Sequence, residues 1–315
     1  MSGHQSYVLF QTRVSTNLAL AAVQPSGVGP WDLELIVEPP AACRDDGSIE
    51  WLHQYFIRGT TVLAATSGRE AGGFALRCHG VADFHVTRDG RFVRAVPLPG
   101  VSPAALEEAF IGELFPLVLN LRGRNGIHAS AVRIGESAVA FCGTSRAGKS
   151  TIAAYLQARG CTVLTDDYLG IEDQNGVIVA CPGLGRIRMR ADARDALDRL
   201  RPASPEDLPS LGGGFERNSV PLSRIYVLPA RGVLGSSDGV RVEPLAGHEA
   251  FTEVLQQMYR LDLRDPDMLT RQTDLLSRLA ALGRIKRLAV GSFDALRALP
   301  DVIRADVAEA CAVHG

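Results

Sequence analysis

The sequence predicts an α/β chain in two parts. A strand-rich N-terminal domain covers residues 1–122, and a domain on a parallel or mixed sheet with a helical C-terminal part covers residues 123–315. Two observations lead there. The first hundred residues are short alternating or β-branched runs, whereas from residue 127 apolar strands alternate with a glycine-rich turn and a helix.

The early strands are expected at 6–10, 33–37, 61–65, 74–78 and 83–87. Arg88-Asp89-Gly90-Arg91 would close a hairpin between Phe84-His85-Val86 and Phe92-Val93, because Asp-Gly tolerates the positive φ such turns need. Ser102-Pro103 then opens a segment in which Leu106, Phe110, Leu114, Val118 and Leu121 recur at helical spacing, with Pro116 kinking or dividing it. Further strands are expected around 127–134 and at 138–142. A helix over 150–159, stopped by Gly160, leads to a strand at 162–165, and this strand–loop–helix–strand order is the unit that builds a parallel sheet. A strand follows at 224–228, and from His248 onward the chain reads as mostly amphipathic helix, broken near Gly283 and Gly291. Residues 201–221 hold Gly212, Gly213 and Gly214 with several prolines and serines. Loops of this length are binding lids or disordered segments, and composition does not choose between them.

The 315 residues are 46% hydrophobic and 22% charged, an ordinary globular composition. No apolar run reaches the roughly 20 residues that span a bilayer, and the opening residues lack the pattern of a secretory signal, so a cytoplasmic protein is expected. A formal net charge of −2 supplies no global field to gather nucleic acid or an anionic membrane. The six cysteines form no C-x-x-C pair, which points away from a zinc site or a redox dithiol.

Of the 33 basic residues only Lys149 and Lys286 are lysines. Lys149 falls within Gly143-Thr144-Ser145-Arg146-Ala147-Gly148-Lys149-Ser150, a G-x-x-x-x-G-K-S motif expected by chance in about two per thousand chains of this composition. The motif belongs to loops that cradle the phosphates of a nucleotide. Its glycines let the backbone curl around a β-phosphate, the lysine reaches the β- and γ-oxygens, and Ser150 ligates Mg²⁺, with Thr151 in the helical turn that follows. Phosphoryl transfer also needs a carboxylate, and Asp166-Asp167 stand at the end of the strand 162–165, on the sheet edge where open α/β folds bind ligands. Taken alone, such a pair is also a common polar turn. Arg186 and Arg188 alternate on what should be a short strand and would share a face able to reach a γ-phosphate or an acidic substrate. A solvated basic edge is the alternative.

Over residues 126–189 this arrangement resembles the catalytic domain of HPr kinase/phosphorylase and its serine-kinase relatives. The likeness rests on His128 within Gly-Ile-His-Ala-Ser-Ala-Val, on the phosphate-binding loop, and on Asp166-Asp167. It implies ATP and Mg²⁺ as cofactors, transfer to a serine hydroxyl of a peptide or protein, Asp167 as general base, Asp166 as a metal or orienting partner, and His128 as a supporting residue. It also implies assembly of like copies, since HPr kinases associate through this domain. The stretch from Ala180 to Arg186 keeps Gly-Leu-Gly but lacks the glutamate of the bacterial HPr kinases. Reverse phosphorolysis and HPr as substrate are therefore not carried over. The Pro-Gly-x-x-Arg-x-Arg form is similar to that of stand-alone kinases in peptide-modification pathways, including those resembling lasso-peptide precursor kinases, which would make the substrate a ribosomal precursor peptide. Two other readings stay open: a non-catalytic protein in which nucleotide gates a partner surface, and a small-molecule kinase.

Overall fold

A computed structural model describes residues 4–27, 29–42, 47–56, 62–187, 194–195, 197, 214–229, 239–260 and 262–314. The chain divides into two compact units, residues 1–124 with 259–269, and residues 125–258 with 270–315. No helix among the described residues is long and apolar enough to cross a membrane.

The first unit is built on eight strands: β1 (Gln5–Leu9), β2 (Thr12–Thr16), β3 (Leu33–Val37), β4 (Glu50–Phe56), β5 (Leu63–Glu70), β6 (Gly73–Cys78), β7 (Ala82–Thr87) and β8 (Phe92–Pro97). Their order is β1-β2-β3-β8-β7-β6-β5-β4, with β3 parallel to both neighbours and the remaining pairs antiparallel. The expected turn between β7 and β8 is present, and Gly90 takes a φ of 65° there. Leu33, Leu35, Phe84, Val93 and Ala95 are buried at alternate positions, as a sheet with one face on the core requires.

A helix follows, capped by the Ser102 side chain, which accepts from the Ala105 N–H. It runs as α1 (Pro103–Ala109), a π-turn (Phe110–Leu114) and α2 (Phe115–Leu121). Pro116 neither ends nor divides it. The proline has no N–H to give, and the helix widens just before it, with the Phe115 N–H reaching the Phe110 carbonyl. Residues 259–269 return to this unit, where Arg69 Nε donates to the Asp262 carboxylate at 2.7 Å and the Tyr55 hydroxyl donates to the Arg260 carbonyl at 3.1 Å.

The second unit holds β9 (Asn125–Ile127), β10 (Ala129–Ile134), β11 (Ser137–Cys142), β12 (Thr162–Thr165), β13 (Leu169–Gln174), β14 (Val177–Cys181), β15 (Val220–Val227), β16 (Val240–Pro244) and β17 (Ile285–Val290). Among the described residues its longer helices are α3 (Lys149–Ala158), α4 (Gly247–Leu255), α5 (Pro266–Ala281, of which 270–281 belong here) and α6 (Leu299–His314). The sheet order is β12-β10-β11-β15-β14-β13-β9, with β17 beside β15 and β16 beside β17. This sheet is mixed. Strand β12 does not pair with β11 as a simple strand–helix–strand unit would have it, because β10 lies between them, antiparallel to both. The parallel pairs are β11 with β15 and β15 with β17.

The segment between Gly283 and Gly291 is also strand rather than helix. Ile285, Leu288 and Val290 are buried, and the ladder to β15 satisfies the backbone. The seven residues between these two glycines are too few for a stable helix and suffice for a strand.

Strand β11 is buried along its whole length and feeds two cores. Ala138, Ala140 and Cys142 pack with Ala250 and Val254 of α4 and Leu275, Leu276 and Leu279 of α5. Val139 and Phe141 pack with Ile152 and Leu156 of α3 and Leu299, Ile303 and Val307 of α6. Successive side chains of a strand point to opposite faces, so the unit is a sheet between two helical layers. The cysteines at 78, 142, 161 and 181 are buried and form no disulfide among the described residues. Burial pushes the Cys142 thiol up to about 12, against the opposing pull of the Lys149 ammonium, which leaves it inert.

Asp306 of α6 accepts from Arg224 Nε at 3.0 Å, from the Tyr226 hydroxyl at 2.6 Å and from the Lys286 ammonium. Burial alone would raise its pKa, but these hydrogen bonds outweigh it and hold the carboxyl below the usual aspartate range. A depressed carboxyl contributes stability that is present above its unfolded pKa, about 3.9, and is lost as pH falls through the native value. Asp306→Asn leaves two buried cations facing an amide and is expected to cost about 3–5 kcal/mol in denaturant unfolding at neutral pH. The difference from the parent should shrink as the pH drops below about 4. A pH-independent difference would contradict this account of the cluster.

Candidate active site

The site is assembled where three strand ends meet. β11 and β12 run in the same sense with β10 between them, and β15 is parallel to β11. The C-terminal ends of β11, β12 and β15 and the N-terminal end of β10 therefore share one edge, where ligands of open α/β sheets bind.

Gly143 leaves β11 with φ of 142°, and a side chain there would begin 2.9 Å from the Leu228 carbonyl oxygen. The loop turns on an Ala147 N–H to Thr144 carbonyl bond of 3.1 Å, with Arg146 at a φ of 67°. Ser145 and Arg146 are exposed. Gly148 caps α3 at a φ of 99° with no side-chain cap hydrogen bond, so the first turn of the helix opens on the loop itself. Such a helix start presents the positive end of the helix dipole to an anion. Lys149 is 6% exposed, and its ammonium donates back to the carbonyls of Gly143 at 3.0 Å and Thr144 at 3.3 Å. The cation thus lies across the inside of the loop.

Asp166 follows β12 and is 7% exposed. Its Oδ1 accepts from the Ser150 hydroxyl at 2.9 Å and from the fully buried Ser130 hydroxyl of β10. Asp167 comes next, half-buried, with a φ of 75°, a left-handed conformation that costs a non-glycine residue about 1–3 kcal/mol. Several contacts hold it there. His128, at the break between β9 and β10, meets the Asp167 carbonyl through Nδ1 at 3.0 Å, and because a carbonyl only accepts, Nδ1 carries the proton. The His128 N–H is itself fixed on the Gln257 carbonyl at 2.8 Å. The Thr165 hydroxyl donates to the Tyr168 carbonyl at 2.7 Å, and the Tyr168 ring lies flat against Gly126, where a Cβ would come within 2.1 Å of it.

The structure therefore brings together residues 143–151, Asp166, Asp167 and His128. It does not place Arg186 on a strand. β14 ends at Cys181, Pro182 has no N–H for a ladder, the Gly183 N–H goes to the Leu164 carbonyl, and the chain bends with the Arg186 N–H on the Leu184 carbonyl. Arg188 lies outside the described residues, as do Gly212, Gly213 and most of the stretch 201–221. Ser130 was not singled out in the sequence, although it stands two residues from His128 in the same strand segment, and that alternation was the available signal.

The donor set suits a nucleotide-bound Mg²⁺. Among the described residues no group of three or more His, Cys, Asp or Glu could hold a metal. Mg²⁺ needs no such cage, taking one or two protein oxygens and completing its shell with water and phosphate. The Ser150 hydroxyl and the Asp166 carboxylate, already in contact, are oxygens of that kind.

No protein-family profile matches the chain, and no curated protein does. Among solved structures, the Hpr(Ser) kinase/phosphatase from Coxiella burnetii is similar at 13% sequence identity and a TM-score of 0.30, over 58% of this chain and 97% of that one. A likeness at that level assigns neither activity nor substrate, and the site stands on its own geometry.

Gly126→Ala would drive a methyl into the Tyr168 ring and is expected to destabilise the second unit by about 1–3 kcal/mol. Thermal unfolding measures this, and an unchanged midpoint would mean that the ring is not held as described.

Proposed function

We propose that the second unit is an ATP- and Mg²⁺-dependent kinase that transfers the γ-phosphate to a serine hydroxyl of a peptide or protein. One observation carries the reading. A helix start without a side-chain cap, an ammonium lying across its loop, and a hydroxyl–carboxylate pair all meet at one sheet edge beside Asp167.

In this reading the N–H groups of residues 143–151 and the Lys149 ammonium hold the β- and γ-phosphates, with Lys149 turning from its own carbonyls to phosphate oxygens. Mg²⁺, held by Ser150 and Asp166, would neutralise charge on the β- and γ-oxygens. Asp167 accepts the proton of the incoming serine hydroxyl as its oxygen bonds to the γ-phosphorus. The bond from that phosphorus to the β–γ bridging oxygen breaks, and ADP departs with the electron pair. His128 acts on Asp167 through the backbone, fixing the turn that presents the carboxylate. Ser130 fixes Asp166 directly, its hydroxyl donating to the carboxylate. A ribosomal precursor peptide is the substrate class favoured by the Pro182-Gly183…Arg186 pattern.

The test is transfer from γ-labelled ATP with Mg²⁺ into a peptide and protein extract of the host, with labelled species identified by mass spectrometry. Label on serine is expected, lost on chelation of Mg²⁺. Asp167→Asn should slow transfer about a hundred- to ten-thousandfold with Mg-ATP affinity near the parent's. Lys149→Ala should lose on the order of a hundredfold in rate and also weaken binding. An Asp167→Asn variant that transfers at the parent's rate would remove the base from this mechanism. Firm Mg-ATP binding without transfer to any polypeptide would favour the nucleotide-gated binding protein or the small-molecule kinase.

A further inference from the structure

Both lysines of this arginine-rich chain face inward. Lys149 lies in the loop, and Lys286 lies on β17 with its ammonium on the Asp306 carboxylate, the two side chains being 18% and 8% exposed. Arg224 and Tyr226, two residues apart on β15, reach the same carboxylate, and Arg224 Nη2 also donates to the Asp306 backbone carbonyl at 3.1 Å. Three donors from two adjacent strands thus converge on one helix side chain. None of β15, β17 and α6 can shift alone without leaving a buried charge unpaired. A compact ammonium shares a carboxylate with a guanidinium already in place more readily than a second planar fork would.

From this clamp, direct contacts lead to the phosphate-binding loop. The Tyr226 ring, held by its hydroxyl on Asp306, stacks on Phe141 with centroids 5.7 Å apart and an interplanar angle of 18°. Phe141 is its register partner on β11. Two residues beyond Tyr226, the Leu228 N–H donates to the Cys142 carbonyl at 2.8 Å, and the Leu228 carbonyl lies against Gly143. The Gly143 carbonyl in turn accepts from Lys149. Tyr226, Phe141, Cys142, Leu228, Gly143 and Lys149 are all buried, and a close-packed interior transmits strain.

We propose that Lys286, Tyr226 and Asp306 are positioning residues of the nucleotide site, setting where β11 and β15 deliver Gly143 and hence the shape of the loop, without touching nucleotide. The inference rests on reading residues 143–151 as that site. By linkage, Mg-ATP should stabilise the parent against heat more than it stabilises a variant with the clamp opened.

The experiment is calorimetric titration of Mg-ATP into the full chain, with thermal unfolding of each protein without nucleotide. Asp306→Asn can fail to fold, so two milder variants decide. Lys286→Met leaves Arg224 paired with Asp306, and Tyr226→Phe keeps the ring stack but loses the hydroxyl. Each is expected to bind Mg-ATP about tenfold more weakly than the parent. Variants with lowered melting temperatures but the parent's Kd would show a clamp that only stabilises the fold, overturning the proposal while leaving the nucleotide site intact. A folded parent that does not bind Mg-ATP overturns the nucleotide reading and this inference together.

Discussion

A carboxylate buried at the end of a strand must be satisfied from its surroundings, and Asp166 is satisfied by two hydroxyls on two different elements. Ser130 comes from β10 and Ser150 from α3, so one side chain ties β12, β10 and the helix that leaves the glycine-rich loop. The arrangement needs β10 beside β12, which is what the insertion of β10 between β11 and β12 provides. A purely parallel order would have placed β11 there and left Ser130 without its partner. The same requirement bears on Asp167. With Asp166 committed inward, the chain turns at once through a left-handed residue, and aspartate is among the few side chains that tolerate it. The Tyr168 ring against Gly126 and the Thr165 hydroxyl then hold the turn, so the strain at Asp167 is carried by packed neighbours.

The loop itself depends on what lies under it. β11 contributes one face to each core, small residues to one and Val139 and Phe141 to the other. Ala138 and Ala140 leave room for α4 and α5 to pack close, while Phe141 fills the space between α3 and the C-terminal helix. The loop exposes Ser145 and Arg146, and its shape is set largely by the strands that enter and bound it. Ala147, fully buried, joins the loop to the core under α3.

Much of the site was legible because its chemistry is local. A phosphate-binding turn needs glycines, a lysine and a hydroxyl within eight consecutive residues, and in a chain with two lysines the match is hard to produce by chance. Asp166 and Asp167 were legible for a similar reason, since a strand end following that helix returns to the same edge. What was not legible is pairing. Nothing in Ala129–Ile134 says that it runs antiparallel between two other strands, and nothing in Ile285–Val290 separates a strand from a short helical turn until β15 lies beside it. Arg186 illustrates the converse: the alternation with Arg188 suggests a strand, and Pro182 with Gly183 diverts the chain before one can form. Pro116 was read as kinking or dividing the helix, but a π-turn absorbs the missing hydrogen bond, and Phe110, Leu114 and Phe115 are all buried and hold the helix together on either side.

The least legible feature is the departure of residues 259–269 to the first unit, inside a stretch whose amphipathic pattern reads as one helical block. Its two ends are fixed by different physics. On the second unit's side the chain leaves from Met258, which bridges Ile127, just after Gln257 has given its carbonyl to His128. On the first unit's side Asp262 is buried on Arg69, and Asp265 caps the start of α5 by accepting from the N–H groups of Asp267 and Met268. An aspartate immediately ahead of the helical run, with a proline at its first position, is a signal for a helix start. Contacts to strands some two hundred residues earlier in the chain, Asp262 with Arg69 and the Arg260 carbonyl with Tyr55, are not written locally at all. The helix could be found from sequence, while its assignment to two units could not, because that assignment is made by partners and not by propensity. Since the chain's exit shares its anchor with His128, the site and the division into units are held by the same short stretch of backbone.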